Sequence, residues 1–372
     1  MTSIIYVGMD VHTTNYTLCC YSMEDDRFFA EVQVEPDAKN ILKYLARIEK
    51  QQSRGCRIVC GYEAGCLGYS LYHQLHAHGI DCVILAPTTM MTKPGKRIKT
   101  DRRDARLISK CLAFHTYSPV YIPTEVDDAV KEYIRMRDDA NSALARVKQQ
   151  IIAFCIRHGK IHGGKSYWTN KHLEWLSSLN LGNKILSEVL QEYLIRYYQL
   201  REQVDMYDMR INELAQAEPY QQKVEKLGCF RGIAAHTALS FCVEIGDFRR
   251  FATAQQFASY LGLVPGECSS GDKQQYTGIT KAGNSHLRKL LVETAQVFGR
   301  SATKSGKSVA LKERQAKCDS LTVAYADKAN ARLKKKYFKI AMRSKVNIAK
   351  TAVAREMACF IWGMMTDNIS CA

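Results

Sequence analysis

The sequence has no C-x-x-C pair, no long apolar run and no leader-like N-terminus. Its 14 cysteines are scattered along 372 residues, a pattern that predicts neither a zinc site nor a disulfide framework. The longest apolar stretches, such as 4–9 and 359–365, fall far short of the roughly 20 residues that a membrane-spanning helix needs. The N-terminus has no basic segment and reaches an acidic residue too early for a signal peptide. We therefore expect a soluble cytoplasmic protein.

What the sequence does have is positive charge. Lys and Arg number 53 against 37 acidic residues, a net charge of +16, which favours polyanionic partners, nucleic acid first and an acidic membrane second. The window 270–355 holds 20 Lys or Arg against five acidic residues, a net charge of +15. We expect its basic side chains to contact phosphates, with a solvated helix face as the alternative. The candidate contacts in this window are Lys273, Lys281, Arg288, Lys334, Lys335 and Lys336.

The N-terminal third alternates between strand and helix patterns. Apolar runs at 4–9, 16–21, 27–34, 57–62 and 82–86 have strand length, helical stripes cover 37–52 and 67–78, and a further helix follows from Asp101 to Phe114. This β-β-β-α-β-α-β order predicts a mixed sheet with helices packed on it, in a domain over 1–120.

The rest of the chain has a helical pattern. Residues 121–219 contain few Gly or Pro, and a spacing close to 3.5 residues predicts long helices that pack as a coiled coil, within the chain or between subunits. The residues that nearly keep this spacing are Leu190, Tyr193, Leu194, Tyr197, Leu200, Val204 and Tyr207. A third, mainly helical domain is expected over 220–372, with a polar loop over 265–283. The fold class is therefore α/β plus all-α.

Four acidic residues form the candidate metal site. Asp10 and Glu63 each follow an apolar strand run, and Asp101 and Asp104 lie three apart on one helix face. If the two strands are neighbours, the carboxylates converge, as a pair of Mg²⁺ or Mn²⁺ ions that cleaves a phosphodiester requires. Taken singly, each acid could be a surface or capping residue. The basic cluster around Asp101 and Asp104, suited to a phosphate backbone, is Lys93, Lys96, Arg97, Lys99, Arg102, Arg103 and Arg106.

Five motifs resemble those of the DEDD transposases of bridge-RNA-guided insertion sequences, also called bridge recombinases. In chain order they are Val7-Gly8-Met9-Asp10, Tyr62-Glu63-Ala64, Lys99-Thr100-Asp101-Arg102-Arg103-Asp104-Ala105, Ser269-Ser270-Gly271 and Thr280-Lys281-Ala282-Gly283-Asn284. The resemblance extends over essentially the whole chain, and the third motif is its most specific part. It implies an N-terminal RNase H fold similar to the RuvC Holliday-junction resolvase, with Asp10, Glu63, Asp101 and Asp104 as the catalytic metal ligands.

The resemblance also assigns a role to the Ser-Ser-Gly segment, which by itself is typical of a turn. It implies that Ser270 is the nucleophile of a C-terminal transposase domain and forms a covalent bond to DNA, with Ser269 as the lesser candidate. It further implies a structured bridge RNA, dimers that pair into a tetramer, and a nucleoid-associated enzyme of a bacterium or archaeon. Leu227 to Ala238 resembles the family's helix-hairpin-helix segment, for which packing is an equal interpretation because its second glycine is replaced by Ala234.

Two other functions fit the same residues. The first is a plain Holliday-junction endonuclease, in which the carboxylates activate water and Ser270 is a loop residue; a covalent adduct distinguishes it. The second is a non-catalytic nucleic-acid-binding protein, which magnesium-dependent cleavage distinguishes.

Overall fold

The computed structural model describes residues 3–51, 55–65, 67–90, 100–267, 276–300 and 306–369. The chain forms two compact units, Met1–Ile122 and Pro123–Ala372, and each is described by itself. The division into three domains at 120 and 219 stays a prediction.

The first unit contains a five-stranded mixed sheet in the order β3-β2-β1-β4-β5. Its elements are β1 (Ser3–Val11), β2 (Tyr16–Ser22), β3 (Arg27–Val34), α1 (Ala38–Gln51), β4 (Cys56–Glu63), α2 (Ser70–Ala77), β5 (Asp81–Leu85) and α3 (Asp101–Ala113). β2 is antiparallel to both β1 and β3, whereas β1, β4 and β5 run parallel. The predicted mixed sheet is confirmed, and it is consistent with an RNase H-like fold.

The sheet is covered on both faces, which explains why its central strand is apolar throughout. On one face α1 buries Ile41, Leu45 and Ile48 against β1 and β4. On the other face α3 buries Ile108 and Leu112. A strand covered on both faces reads as a continuous apolar run rather than an alternating one.

The second unit is mainly helical. Its elements are α4 (Glu125–Arg157), α5 (Asn170–Ser177), α6 (Lys184–Gln216), α7 (Gln221–Gly228), α8 (Ala235–Ile245), α9 (Ala254–Tyr260), β6 (Pro265–Glu267), β7 (Tyr276–Ile279), α10 (Ser285–Ala295), α11 (Val309–Gln315), α12 (Ser320–Ala341) and α13 (Val346–Met365). Within the described ranges, no helix is long and apolar enough to cross a membrane.

The two longest helices, α4 and α6, pack against each other within the chain. Their ring pairs Tyr133–Tyr207, at 5.8 Å, and Phe154–Tyr193, at 6.0 Å, show that they run antiparallel. The buried residues of α6 include four at seven-residue intervals, namely Leu190, Tyr197, Val204 and Ile211. The partner of this stripe is therefore α4 of the same chain, while a supercoiled geometry stays a prediction.

In the C-terminal core, one expectation from the sequence is wrong and one interpretation is supported. The expectation that 265–283 is entirely loop is wrong, because β6 and β7 pair as an antiparallel ribbon with Pro265 opposite Ile279. In the hairpin between α7 and α8, Phe230 and Ile233 are fully buried and Arg231 N donates to Asn330 Oδ1 at 2.9 Å. These contacts favour the packing interpretation of that hairpin.

Candidate active site

The acidic residues are brought together by a close approach between α3 and β1. A Cβ built on Gly8 would overlap the carbonyl oxygen of Ala105 and the backbone nitrogen of Ser109, so only glycine lets the helix lie this near the strand. Side chains alternate along a strand, and Asp10 therefore lies on the same face as Gly8. The first turn of α3, which carries Asp101, is thereby held over the end of β1.

Among the described residues, Asp10, Asp101 and His12 are close enough together to share a metal ion. One ligand atom from each lies within 4.8 Å of the other two. His12 Nε2 is 3.3 Å from Asp10 Oδ2, and the two side chains are 46% and 14% exposed. The sequence analysis missed His12, although its position two residues after Asp10 places both side chains on one side of an extended chain.

The electrostatics of Asp10 suit a cation. Burial raises the pKa of its carboxyl, the charge of His12 opposes this rise, and the carboxylates of Asp104 and Asp101 raise it further. Asp10 Oδ2 is buried, and its contact with His12 Nε2 at 3.3 Å lacks hydrogen-bond geometry. A buried carboxylate oxygen without a donor is costly unless an ion compensates it. Two carboxylates and an imidazole therefore fit a divalent metal ion.

Asp104 and Glu63, the other two acids, border this group. The carboxylate of Asp104, in the first turn of α3, raises the pKa of Asp10. Glu63 is the exposed last residue of β4, whose pairing with β1 reaches Met9 opposite Tyr62. Continuing this register by one residue places Asp10 beside Glu63, at the C-terminal ends of the two parallel strands. Asp104 and Glu63 lie outside the group of three ligand atoms that approach within 4.8 Å.

The N-terminus of α3 leaves its acids available. Thr100 is the cap, with its hydroxyl accepting from Arg103 N at 3.4 Å, so Asp101 is not needed for capping. Arg102 and Arg103 are exposed on the same turn. Arg106 instead forms a bidentate ion pair with Glu31 of β3, and that contact lowers the pKa of the Glu31 carboxyl.

The predicted nucleophile, Ser270, lies outside the described residues, as do Ser269, Lys99 and Lys273. The described ribbon reaches Glu267 on one side of this segment and resumes at Tyr276 on the other, and these two residues are paired. The serine segment therefore connects the two strands of a hairpin.

The base of this serine hairpin is anchored by backbone contacts of the Thr280-Lys281-Ala282-Gly283-Asn284 motif. Gly262 and Gly283 have positive φ angles of 64° and 70°, and a Cβ on Gly283 would overlap the carbonyl oxygen of Tyr260. Lys281 N donates to Gly262 O at 3.1 Å. Arg288 Nη1 donates to two carbonyl oxygens, of Leu261 at 2.9 Å and of Ala282 at 3.0 Å. The motif thus fixes where the hairpin begins.

A charged network, also missed by the sequence analysis, joins this motif to α4 and α8. Asn284 caps α10 and donates Nδ2 to Glu244 at 2.9 Å. His286 lies between Asp138, at 2.8 Å, and Glu244, at 3.4 Å. Burial alone would lower the pKa of His286, but its contacts with the two acids raise it to about 9. His286 is therefore a cation at neutral pH.

The remaining basic residues differ in their surroundings. Lys281 and Lys335 are exposed and Lys334 is half-buried. Lys336 Nζ forms an ion pair with Glu356 at 2.6 Å. Phosphate contacts by these residues, and by Arg288, stay predictions.

Comparison with known families gives two matches. The sequence model of DEDD transposases of the IS110 type, described as "Transposase", matches residues 7–156. The model described as "Transposase IS116/IS110/IS902 family" matches residues 225–314. The first match contains Asp10, Glu63, Asp101 and Asp104, and the second contains the serine hairpin.

Curated relatives agree with these matches. A putative transposase, y4qE, of Sinorhizobium fredii is 35% identical over 307 residues, which cover 82% of this chain and 75% of the relative. The transposase for insertion sequence element IS1533 of Leptospira borgpetersenii is 32% identical over 340 residues, which cover 90% of this chain and 95% of the relative. The transposase for IS1111A of Coxiella burnetii is 26% identical over 268 residues, 68% and 71% of the two chains.

Proposed function

The chain belongs to the IS110/IS116 family of transposases, and on that premise we propose that it cuts and rejoins DNA through a covalent serine–DNA intermediate. The enzyme is a transposase. The single observation that carries the metal-dependent cutting is the convergence of ligand atoms of Asp10 and Asp101, whereas the serine step is supported by the resemblance of Ser269-Ser270-Gly271 to the family's motif. Glu63 and Asp104 complete the proposed metal-binding and catalytic set.

Divalent ions held there, Mg²⁺ or Mn²⁺, would supply Lewis-acid stabilisation of charge at a phosphodiester. The residues of the chain position the strand: Arg102 and Arg103 are exposed beside the acids, where guanidinium groups can bind flanking phosphates. Gly8 and the Thr100 cap hold the acids in place. We propose an RNase H-like domain similar to RuvC over 1–120 for this part.

Ser270 is the proposed nucleophile. A bond forms between its Oγ and phosphorus while the bond from phosphorus to a sugar oxygen breaks. The hydroxyl proton passes to solvent, and the leaving oxygen takes up a proton. Attack by the hydroxyl of another strand end reverses the step and releases the serine, so the ester retains the energy needed for rejoining.

The assembly is part of the same proposal. A structured bridge RNA would select donor and target DNA, and dimers would pair into a tetramer in which both sites act on one strand. The support is the net charge of +15 over 270–355, which suits long phosphate backbones. Sequencing RNA that copurifies with the protein tests this part.

A covalent adduct tests the serine mechanism. Labelled DNA is incubated with protein and Mg²⁺, separated by denaturing electrophoresis, and the linked peptide is identified by mass spectrometry. We expect a slowly migrating adduct that maps to Ser270, is absent in Ser270→Ala and is retained in Ser269→Ala.

Two results would change the assignment. An adduct on Ser269 would move the nucleophile by one residue. Cleavage without any adduct would favour the second candidate, a metal-dependent junction endonuclease, which is supported by an acidic site contained wholly within the first unit.

A further inference from the structure

The segment that connects α4 to α6 is rich in basic and aromatic residues. Residues 157–183 contain four Lys or Arg against one acid, Glu174, together with three histidines. The four cations are Arg157, Lys160, Lys165 and Lys171. Neither proposed catalytic centre includes any residue of this segment.

This turn encloses a cavity of about 120 Å³. Four rings line it, those of His162, Tyr167, His172 and Trp175, together with aliphatic side chains and Lys160. The cavity lies at the surface, since three of its lining residues, Ile156, Ile161 and Tyr167, are 57%, 73% and 45% exposed. Large apolar side chains left exposed around a pocket are typical of a binding site rather than of a closed core.

The four rings form a cage in which one pair is stacked, His172 and Trp175 at 5.6 Å and 26°, and other pairs are inclined. His162 lies 5.0 Å from Trp175 and 6.0 Å from Tyr167, with planes inclined at 54° and 62°. Tyr167 meets His172 at 5.0 Å and 70°. Inclined rings around a gap of this kind can offer a face or an edge to a planar guest.

His172 adds a hydrogen-bonding group to the cage. It is 1% exposed, and its Nδ1 accepts from Trp168 N at 3.2 Å. Burial lowers the pKa of the ring, so the neutral form carries its proton on Nε2. The lining of the cavity thus includes one ring with a donor to match an acceptor on the guest.

We propose that this cavity binds one unpaired pyrimidine base of a nucleic-acid strand, with Lys160, Lys165 and Lys171 beside the flanking phosphates. An apolar cavity of about 150 Å³ takes up benzene, so a space of about 120 Å³ that opens to solvent excludes a purine and admits at most one six-membered ring, entering by its edge. Aromatic stacking and surrounding cations are how proteins hold single strands. The inference rests on the proposed function only in taking nucleic acid as the partner.

The test measures binding of the full-length protein to labelled oligothymidylate, oligouridylate and oligoadenylate of equal length. Tyr167→Ala should weaken binding of the two pyrimidine strands by roughly tenfold, since stacking of one base contributes on that scale. Its salt dependence should be unchanged. The matched control is Tyr198→Ala, because Tyr198 is also 45% exposed but lies on α6 away from the cavity. Comparing the DNA and RNA strands identifies which one the site prefers.

A charge variant and a cross-link complete the test. Lys165→Gln with Lys171→Gln should reduce the salt slope by about 1.4, or about 0.7 for each single-strand phosphate. Photoactivated iodouracil in the strand should cross-link to Tyr167 or Trp175.

Three results would overturn the proposal. Tyr167→Ala could bind the strands as well as the wild type does, or the cross-links could be confined to other segments. Tyr167→Ala could also change self-association alone, which would assign the cavity to a second copy of the chain. Formation of the Ser270 adduct is measured separately, so failure here is distinguishable from failure of the proposed function.

Discussion

The acidic site and the serine hairpin are built in opposite ways. Asp10 and Asp101 are 91 positions apart in sequence and meet only because α3 lies against β1 at Gly8. The serine hairpin is one continuous stretch, fixed at its base by backbone hydrogen bonds that Lys281 N donates to Gly262 O and Asn284 N donates to Tyr260 O. The first site therefore depends on packing between distant elements, whereas the second depends on local geometry.

Gly8→Ala should have the largest effect, because it tests the packing that builds the acidic site. Its methyl group would overlap the backbone of α3, so we expect a loss of about 4 kcal/mol or more, the upper end for a single substitution. Urea unfolding measures this. Gly163→Ala is the control, since nothing lies within 4 Å of a Cβ there. Equal stability of the two variants would refute the close-packing account.

The network around His286 predicts a defined pH dependence of stability. Burial would raise the pKa of Glu244, but its contacts with His286 and Arg135 lower it to about 2, so its contribution is complete above pH 4.5 and is lost as pH falls towards 2. The pKa of His286 is raised to about 9, so its contribution is complete below pH 6.5 and is lost as pH rises through 9.

Unfolding free energy across this range checks that prediction. Glu244→Gln should lower the unfolding free energy by about 3 kcal/mol near pH 6, since it leaves the charges of His286 and Arg135 uncompensated. It should also reduce the loss of stability between pH 4.5 and pH 2, the acid limb of the profile. An acid limb identical to that of the wild type would contradict it.

Arg288→Ala tests the local anchoring of the serine hairpin. Removing the two hydrogen bonds from Nη1 should destabilise the protein by about 2 kcal/mol and reduce adduct formation while leaving the acidic site intact. Lys289→Ala, an exposed neighbour on the same helix, is the control. Adduct formation at the wild-type rate would show that these two hydrogen bonds are not needed to position the serine hairpin.

Neutralising Lys334, Lys335 and Lys336 together should have the smallest effect. Each lost duplex phosphate contact would flatten the salt dependence of DNA binding by about 0.9, or about 2.7 for three, and the ion pair of Lys336 with Glu356 makes us expect less than that. Neutralising Lys39, Lys43 and Lys50 of α1, all exposed, provides the comparison. An unchanged slope would make the run a solvated helix face.

The same contrast explains what the sequence could predict. The strands, α3 and the mixed sheet follow from apolar periodicity, which is a local signal. The network of Asp138, Glu244 and His286 could not be predicted because it depends on which elements pack together. His12 did have a local signal, its position two residues after Asp10. The ribbon of β6 and β7 was missed because its strands are three and four residues long, too short for a periodic pattern.

Magnesium-dependent cleavage of labelled DNA by Asp101→Asn tests the central claim, that the acids at β1 and α3 form the cutting site. Asp205→Asn is the control, because Asp205 is a 68% exposed acid on α6. We predict that Asp101→Asn folds and binds DNA but cleaves it about a hundredfold more slowly or worse, since metal ligation contributes several kcal/mol to the transition state, while Asp205→Asn cleaves normally. Undiminished cleavage and recombination by Asp101→Asn would contradict the four-carboxylate site.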